Sequence, residues 1–366
     1  MSSDASDGSD PSGSATAFGA CPVPLVDAEE ILLGHGSGGK LTARLIEGLI
    51  LPAFRNPALE VLDDQAILTI PGATAAGVRL AFTTDSYVVT PIFFPGGDIG
   101  ELAVNGTIND LAMGGAVPHY LSLAFILEEG LPIKDLARIV ESARRAADRA
   151  GVAVVTGDTK VVGRGSGDKV FINTSGIGLV APTVALSSAR VEPGDVILVS
   201  GTIGDHGMAI LSRREGLELD GPLESDTAPL HDLVAAALAA YPDIHAMRDP
   251  TRGGVAATLV EIATRRRLGV EIDETAVPIK ETVRGACEIL GLDPLLVANE
   301  GKLVAFVPEP GAAAVLDALR RHPLGRDAAR IGAVTARHPG FVTVRTPIGG
   351  ERILDLPFAE PLPRIC

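Results

Sequence analysis

Two long stretches of alternating strand-like and helix-like segments constrain this chain most. In the first, helical patterns occupy residues 39–54, 98–113 and 134–150, while apolar runs typical of strands occupy 66–70, 78–84, 119–128, 152–156 and 171–180. Pro182, Pro193 and Gly194 interrupt this pattern, and a second mixed stretch begins at residue 196. We therefore predict an α+β fold with two α/β-type domains rather than one barrel.

The ends of the chain differ from these two stretches. Residues 1–21 are rich in Ser, Asp and Gly, and we predict a disordered leader without the basic start and apolar centre of a secretion signal. The predicted domains are 22–181 and 182–355. Prolines at 357, 361 and 363 exclude a helix or a central strand, so 356–366 should form an extended, flexible arm that ends in Cys366.

Composition narrows the class of function. The 366 residues include 31 Lys and Arg against 46 Asp and Glu, a net charge of −15. Such an acidic chain is repelled by nucleic acids and by anionic membranes but suits divalent cations. Three cysteines cannot build a disulfide framework, which favours a reducing cytoplasm. No apolar stretch approaches the ~20 residues of a membrane span.

A glycine-rich loop runs from Gly34 to Lys40. It satisfies a P-loop pattern except that Leu41 stands where Ser or Thr would hold magnesium, and it satisfies a dinucleotide-binding pattern without a convincing preceding strand. A flexible loop with no ligand is the third interpretation. In each case the glycines allow backbone N–H groups to approach phosphate, and Lys40 adds charge at a helix start.

Acidic residues recur at predicted strand ends and turns. They are Asp63, Asp64, Asp85, Asp110 with its neighbour Asn109, Asp158 and Asp249. Each alone is typical of a turn, a cap or a solvated charge. Asp85, however, ends an apolar strand and Asp110 lies among apolar neighbours, and a buried carboxylate is costly unless it is paired or binds metal. Hard oxygen ligands favour Mg²⁺, whose coordination nucleotide phosphates would complete.

Three further residues are candidates for chemistry. Lys160 lies in a predicted loop, 157–160, after the strand 152–156, and could be a solvated lysine, a phosphate-binding charge or a base. Glu300 lies in a short polar turn before an apolar strand. Cys366 is either a dispensable tail cysteine or a carrier thiol, since nothing nearby would activate it strongly.

These segments together resemble one family of hydrogenase maturation proteins, the HypE family. The similar segments are 35–39, 85–100, 109–115, 157–162, 200–207, 249–254, 299–302 and the terminal Pro-Arg-Ile-Cys, 363–366. They occur in order over residues 30–366. The HypE family belongs to a wider superfamily with aminoimidazole ribonucleotide synthetase, selenophosphate synthetase and thiamine-monophosphate kinase, and the cysteine-ended tail distinguishes it.

The resemblance implies a fold, a reaction and partners. The N-terminal domain would bind ATP and dimerise. HypF would carbamoylate Cys366, ATP-dependent dehydration would convert the thiocarbamate to a thiocyanate, and the cyano group would pass to iron held by HypC and HypD. Cys366 would be the acceptor, with Lys160 and Glu300 moving protons. ATP and Mg²⁺ would be held by residues of the glycine loop and the acidic set: His35, Gly36, Gly38, Gly39, Lys40, Asp64, Asp85, Asn109, Asp110 and Asp158 for ATP, and Asp64, Asp85, Asp110 and Asp249 for Mg²⁺.

Two alternatives stay open at this point. Selenophosphate synthetase needs a reactive Cys or selenocysteine in the N-terminal glycine loop, and residues 34–40 contain none. A non-catalytic carrier that only displays a modified thiol would not need the acidic set, and ATP turnover would separate it from an enzyme.

Overall fold

The computed structural model describes residues 31, 32, 35, 39–69, 77–217, 221–357 and 365. The strands are β1 Ala66–Leu68, β2 Arg79–Tyr87, β3 Phe93–Phe94, β4 Gly97–Asp98, β5 Ala116–Glu128, β6 Ala153–Val162, β7 Val170–Val180, β8 Asp195–Val199, β9 Ala246–Arg248, β10 Gly269–Asp273, β11 Val304–Pro308, β12 Ala329–Thr335, β13 Val342–Arg345 and β14 Glu351–Leu354. The helices are α1 Lys40–Leu45, α2 Leu51–Phe54, α3 Ile99–Met113, α4 Ile133–Arg149, α5 Asp205–Glu215, α6 His231–Ala240, α7 Gly254–Arg266, α8 Glu281–Leu290 and α9 Glu309–Arg321. All these elements belong to one unit, Leu33–Cys366.

The first sheet has the strand order β1-β2-β7-β5-β6. Its neighbours are antiparallel except β5 and β6, which are parallel. Along β7 buried and more exposed residues alternate, so Val170, Ile172 and Thr174 face inward while the residues between them face out. Helices α3 and α4 cover the inner face. The outer face therefore lies open in this single chain.

Helix α3 is the central element of the fold. Its N-cap is Asp98, whose carboxylate accepts hydrogen bonds from the N–H groups of Gly100 (2.9 Å) and Glu101 (3.3 Å). Of its 15 residues, 13 are buried, because it packs against the first sheet, α4, α6 and β9. A helix that is buried on all sides fixes the position of every polar group it carries.

The second sheet has the order β14-β13-β10-β12-β8-β11-β9, and only β10 and β13 are parallel neighbours within it. All five residues of β8 are buried, as a central strand covered on both faces requires. Ile197 and Val199 pack in the cluster that contains α7 residues, whereas Val196 and Leu198 pack with α6 and α9. This layer supports the loops that follow β9 and precede β11.

Several predicted elements are confirmed. The helix predicted at 39–54 is a helical segment over 40–54 with one π-helical turn, Ile46–Ile50, and α3 matches the helix predicted at 98–113. The predicted α+β class also agrees with the two observed sheets and their covering helices. No helix among the described residues combines the length and apolarity that a bilayer crossing needs.

Two local predictions were wrong. Residues 157–160 are not a loop: β6 runs through them and pairs with β5 in parallel from Ala153 to Val162, so sheet pairing overrides the turn-like sequence. Asp85 does not end its strand, because β2 continues to Tyr87. The leader, Gly36, Gly38 and tail positions 358–364 and 366 lie outside the described residues.

Two helix-interior glycines provide a test of the packing around α3. A Cβ at Gly106 would lie 2.1 Å from Tyr87 Oη and 3.0 Å from its Cζ, and Tyr87 is only 2% exposed. We expect Gly106→Ala to lower the free energy of unfolding by about 1–3 kcal/mol despite the better helix propensity of alanine. The control is Gly285→Ala in α8, where nothing lies within 4 Å of the new Cβ. Urea unfolding giving equal stabilities for the two variants would contradict this packing.

Candidate active site

Five acidic side chains meet where the first sheet faces the segments that follow β9 and precede β11. They are Asp64, Asp85, Asp110, Asp249 and Glu300, and we call them the acidic cluster. Asp249 and Glu300 are buried, at 7% and 2% exposure, and the other three are partly buried. Part of the cluster thus keeps access to solvent.

The strand β2 and the helix α3 bring three members together. Thr83, Asp85 and Tyr87 share the face of β2 that α3 covers, because alternate residues of a strand point the same way. The Thr83 hydroxyl lies 2.8 Å from Asp110 Oδ2 and 2.9 Å from the Asp64 carbonyl oxygen. One hydroxyl therefore joins the loop before β1, the strand and the helix.

Asn109 connects α3 to two segments that lie later in the chain. Its Nδ2 donates to the carbonyl oxygens of Ala228 and Glu300, each at 3.1 Å, and its Oδ1 accepts from the Leu230 N–H at 2.8 Å. The side chain is 1% exposed. Because the nitrogen and the oxygen of this side chain both form hydrogen bonds with backbone groups, Asn109 positions Glu300 relative to α3.

The turn that carries Glu300 is held by its neighbours. Asn299 Nδ2 donates to the Pro250 carbonyl at 3.0 Å, which joins this turn to the segment after Asp249. The Glu300 N–H donates to Asp226 Oδ1 at 3.0 Å, and Lys302 Nζ lies 3.0 Å from Asp226 Oδ2. These bonds fix the backbone of the turn and do not involve the Glu300 carboxyl group.

Burial and like charges dominate the electrostatics of the cluster. Burial, opposed by Arg248 and assisted by Asp63, raises the pKa of Asp64 to about 6, and Arg248 Nε lies 2.6 Å from Asp64 Oδ1. Burial first, and then the charges of Asp249 and other carboxylates, raise the pKa of Asp110 well above its usual range. The pKa of Glu300 is raised well above its usual range by the same causes.

The cluster fits a divalent cation such as Mg²⁺. Asp64 Oδ2, Asp249 Oδ2 and Glu300 Oε1 are buried atoms that find no hydrogen-bond partner within the described residues. Unpartnered carboxylate oxygens are costly in a protein interior and are the ligands that Mg²⁺ prefers. A bound cation would satisfy them and relieve the repulsion among the carboxylates.

Lys160 and Asp158 lie away from this cluster in the single chain. Both are exposed on the edge strand β6, with Lys160 Nζ 3.3 Å from Asp158 Oδ2. The register runs from Asp85 through Thr174 and Leu123 to Gly157, so Gly157 is three strands from Asp85, about 14 Å at usual strand spacing. The chain's own fold does not bring Lys160 to the acidic cluster.

The described part of the glycine loop contacts the base of the tail. Lys40 Nζ lies 2.5 Å from Asp355 Oδ2, and the Lys40 N–H donates to the Pro357 carbonyl at 3.4 Å. Gly39 is buried and His35 is partly buried. The charge that we predicted for phosphate is thus engaged by a carboxylate beside the tail.

Sequence reasoning missed several residues of the site. Arg248 balances Asp64, and Asp226 with Lys302 braces Glu300. His206 is fully buried, and its Nε2 lies 2.9 Å from the carbonyl oxygen of Ile365, the residue before Cys366. The resemblance of segment 200–207 included His206 but indicated no role for it, and Asp226 carried no sequence signal.

Comparison with known proteins agrees with this architecture. Residues 62–180 match the family described as AIR synthase related protein, N-terminal domain, and residues 192–345 match AIR synthase related protein, C-terminal domain. A carbamoyl dehydratase HypE from Cupriavidus necator is 54% identical over 341 residues, which make up 93% of this chain and 96% of that protein. The chain belongs to the HypE family.

Solved HypE structures share the fold. A crystal structure of HypE in complex with ATP has a TM-score of 0.76 and 52% identity, and the match covers 92% of this chain and all of that one, 100%. HypE from a HypE–HypF complex gives a TM-score of 0.80 at 47% identity, covering 86% of this chain and 99% of that chain. The resemblance to the HypE family and the fold that it implied are therefore confirmed.

The raised pKa values of the acidic cluster predict a pH-dependent stability. The folded protein binds these protons more tightly than the unfolded chain, so repulsion destabilises it above the folded pKa values and fades as the pH falls toward the ordinary value of 3.8. Asp110→Asn should therefore raise the Tm of EDTA-treated protein at pH 8 by about 2 °C or more, with a smaller gain at pH 5.

The control for this comparison is Asp317→Asn, which changes an exposed aspartate on α9. It should leave the Tm almost unchanged at both pH values. A Tm of the Asp110→Asn protein at or below that of the parent at pH 8 would show that the carboxylate is not under repulsion.

Proposed function

We propose that this chain is the ATP-dependent carbamoyl dehydratase of [NiFe]-hydrogenase maturation. It would convert an S-carbamoyl group on Cys366 to a thiocyanate, the source of the cyanide ligands of the active-site iron. The relatives named carbamoyl dehydratase HypE support this assignment. The observation that carries it is the burial of Ile365, at 3% exposure, because this contact holds the residue next to Cys366 inside the protein.

The proposed reaction balances in two parts. The carbamoyl oxygen attacks the γ-phosphorus of ATP, and ADP leaves, so the oxygen becomes part of a leaving group. The C–O bond then breaks, inorganic phosphate departs, and the nitrogen loses two protons in total to form the nitrile. Phosphoryl transfer of this kind depends mainly on positioning and charge neutralisation.

The acidic cluster is the proposed nucleotide and metal site. Asp64, Asp85, Asp110 and Asp249 supply the carboxylate oxygens that would hold Mg²⁺, which neutralises phosphate charge when bound. Arg248 keeps Asp64 in place through the 2.6 Å contact. The proposed role of Asn109 is to hold α3 against Glu300 rather than to contact a nucleotide, because its side-chain nitrogen and oxygen both form hydrogen bonds with backbone groups.

Glu300 is the proposed base for the carboxamide nitrogen. Its backbone is fixed by Asn109 and Asp226, and its Oε1 is a buried atom with no hydrogen-bond partner among the described residues. Its raised pKa, caused first by burial, makes its carboxylate a stronger base than that of an ordinary glutamate. The neighbouring cluster accounts for the further rise of that pKa through Asp249.

HypF is the proposed carbamoyl donor and the HypC–HypD complex the proposed cyano acceptor. The structure of a HypE–HypF complex supports the first of these partners. We place the reaction in the cytoplasm, where Cys366 would remain a free thiol. A thiol that must be modified, processed and then discharged needs to leave the site between steps.

A homodimer formed through the open face of the first sheet is part of this proposal. Phe82, Ile177 and Tyr120 lie in one row across β2, β7 and β5 and are 40%, 37% and 51% exposed. Exposed apolar rows on a sheet face are typical of interaction surfaces. Lys160 lies in register with Ile126, which is itself 44% exposed, so a second copy on this face would approach Lys160.

The dimer would also give Lys160 its predicted role. Within one chain Lys160 is three strands away from the acidic cluster in the sheet. It can act on the thiocarbamate only when the partner subunit's site comes to it. Loss of the dimer should then lower activity as well as change mass.

Mass spectrometry of the protein after incubation with HypF, carbamoyl phosphate and Mg·ATP tests the reaction. The parent should show a carbamoyl adduct that loses one water, mapped to Cys366. Glu300→Gln should accumulate the carbamoyl form because the base is missing, while Cys366→Ala should show neither species. Glu309→Gln, an exposed glutamate at the start of α9, is the matched control. Normal thiocyanate formation by Glu300→Gln would place the base elsewhere, and thiocyanate formation by Cys366→Ala would overturn the carrier role.

Ile177→Glu tests the dimer, because a charge in the centre of the apolar row should prevent a second sheet from packing on it. Light scattering after size exclusion should give the mass of one chain for this variant and of two chains for the parent. Val140→Glu is the control, since Val140 is similarly exposed, at 44%, but lies on α4. A parent protein of single-chain mass, or a dimeric Ile177→Glu, would contradict the proposed interface.

A further inference from the structure

The end of the tail is held at a defined seat on α5. Ile365 belongs to a buried apolar cluster that also includes Met208 of α5, Val283 of α8 and Val297. Its carbonyl oxygen lies 2.9 Å from His206 Nε2. His206 Nδ1 lies 2.7 Å from Ser225 Oγ. We call His206, Ser225 and the apolar cluster around Ile365 the tail seat.

Hydrogen-bond chemistry fixes the tautomer of His206. A carbonyl oxygen only accepts, so Nε2 must carry the hydrogen and donate to Ile365. Ser225 Oγ accepts from the Thr227 N–H at 3.2 Å, which leaves the serine hydroxyl free to donate to Nδ1. A neutral imidazole satisfies both hydrogen bonds, and burial, which lowers the pKa of His206, favours that form.

The seat adjoins the residues that hold Glu300. Asp226, next to Ser225 in the chain, influences both His206 and Glu300 electrostatically. The same carboxylate accepts the Glu300 N–H and contacts Lys302. A tail docked on His206 therefore lies in a fixed position relative to the backbone that carries the proposed base.

We infer that His206 is a positioning residue for the tail: its Nε2–H holds the Ile365 carbonyl and so sets where the group on Cys366 is presented. This inference rests on the proposed function, in which Cys366 carries the reacting group. His206 has its described contact with the tail at the backbone carbonyl of Ile365. It acts by favouring the inserted tail over the exposed tail.

Alkylation of Cys366 measures that balance without any catalysis. Iodoacetamide reacts with the exposed tail, and the labelled C-terminal peptide is quantified by mass spectrometry. His206→Phe keeps a ring of similar size but has no donor, and should raise the alkylation rate about fivefold, the ratio expected for one hydrogen bond worth about 1 kcal/mol. His206→Gln retains an N–H at a similar reach and should restore a rate near that of the parent.

Cys287 is the internal control for local unfolding. It is 1% exposed and packs in the same apolar cluster as Ile365, and burial raises its pKa to about 11. Its alkylation should stay slow in both variants. If Cys287 in His206→Phe also becomes reactive, Ser225→Ala serves instead, since it leaves the ring but removes the group that fixes its tautomer, and a rate between those of the parent and His206→Phe is expected.

The outcomes separate the seat from the reaction. Faster Cys366 alkylation with slower dehydration in His206→Phe, both restored in His206→Gln, supports the inference. Parent-like alkylation of Cys366 in His206→Phe and in Ser225→Ala overturns it, whatever happens to activity. A parent protein that never forms thiocyanate, but whose Cys366 is protected by His206, would refute the proposed function and leave the seat intact.

Discussion

The repulsion among five carboxylates beside α3 is the constraint on which the rest of this structure depends. Asp110 is one of only two residues of α3 that are not buried, the other being Glu101. A carboxylate in such a helix must be paired, protonated or bound to a cation. Here Thr83 and the Arg248–Asp64 pair offset part of the cost. The part of the cost that is not offset favours the binding of positive charge, either protons or a cation. The raised pKa values of Asp110 and Asp249 reflect this preference.

The protein holds these carboxylates in place mainly with neutral amides and backbone groups. Asn109 bonds to three backbone partners and Asn299 to the Pro250 carbonyl, so neither adds charge to the site. Bonds to backbone also fix whole segments rather than single side chains. In consequence the turn at Glu300 and the segment after Asp249 are held in fixed positions beside α3, although they are far from it in sequence.

Local patterns predicted the elements well and the site only in part. The helical segment at 40–54 and α3 were predicted correctly from the local sequence. Residues 157–160 read as a turn, and only the parallel pairing with β5 makes them a strand. Asp85 and Asp110 were found because a carboxylate is unusual among apolar neighbours, whereas Asp64 and Asp249 received their role from the resemblance to the HypE family. Arg248, Asp226 and His206 were not found, since their partners are defined by tertiary packing alone.

The tail seat illustrates how a weak contact can serve catalysis. One hydrogen bond contributes about 1 kcal/mol and the burial of one isoleucine side chain about 1.5–3 kcal/mol. Ordering the arm opposes these gains, although prolines at 357, 361 and 363 reduce the entropy that is lost. The net preference for the inserted tail is then small enough to reverse on each cycle. In the proposed function a tighter seat would keep the thiol from its donor and acceptor, so a single neutral donor such as His206 suits a tail that must both dock and leave.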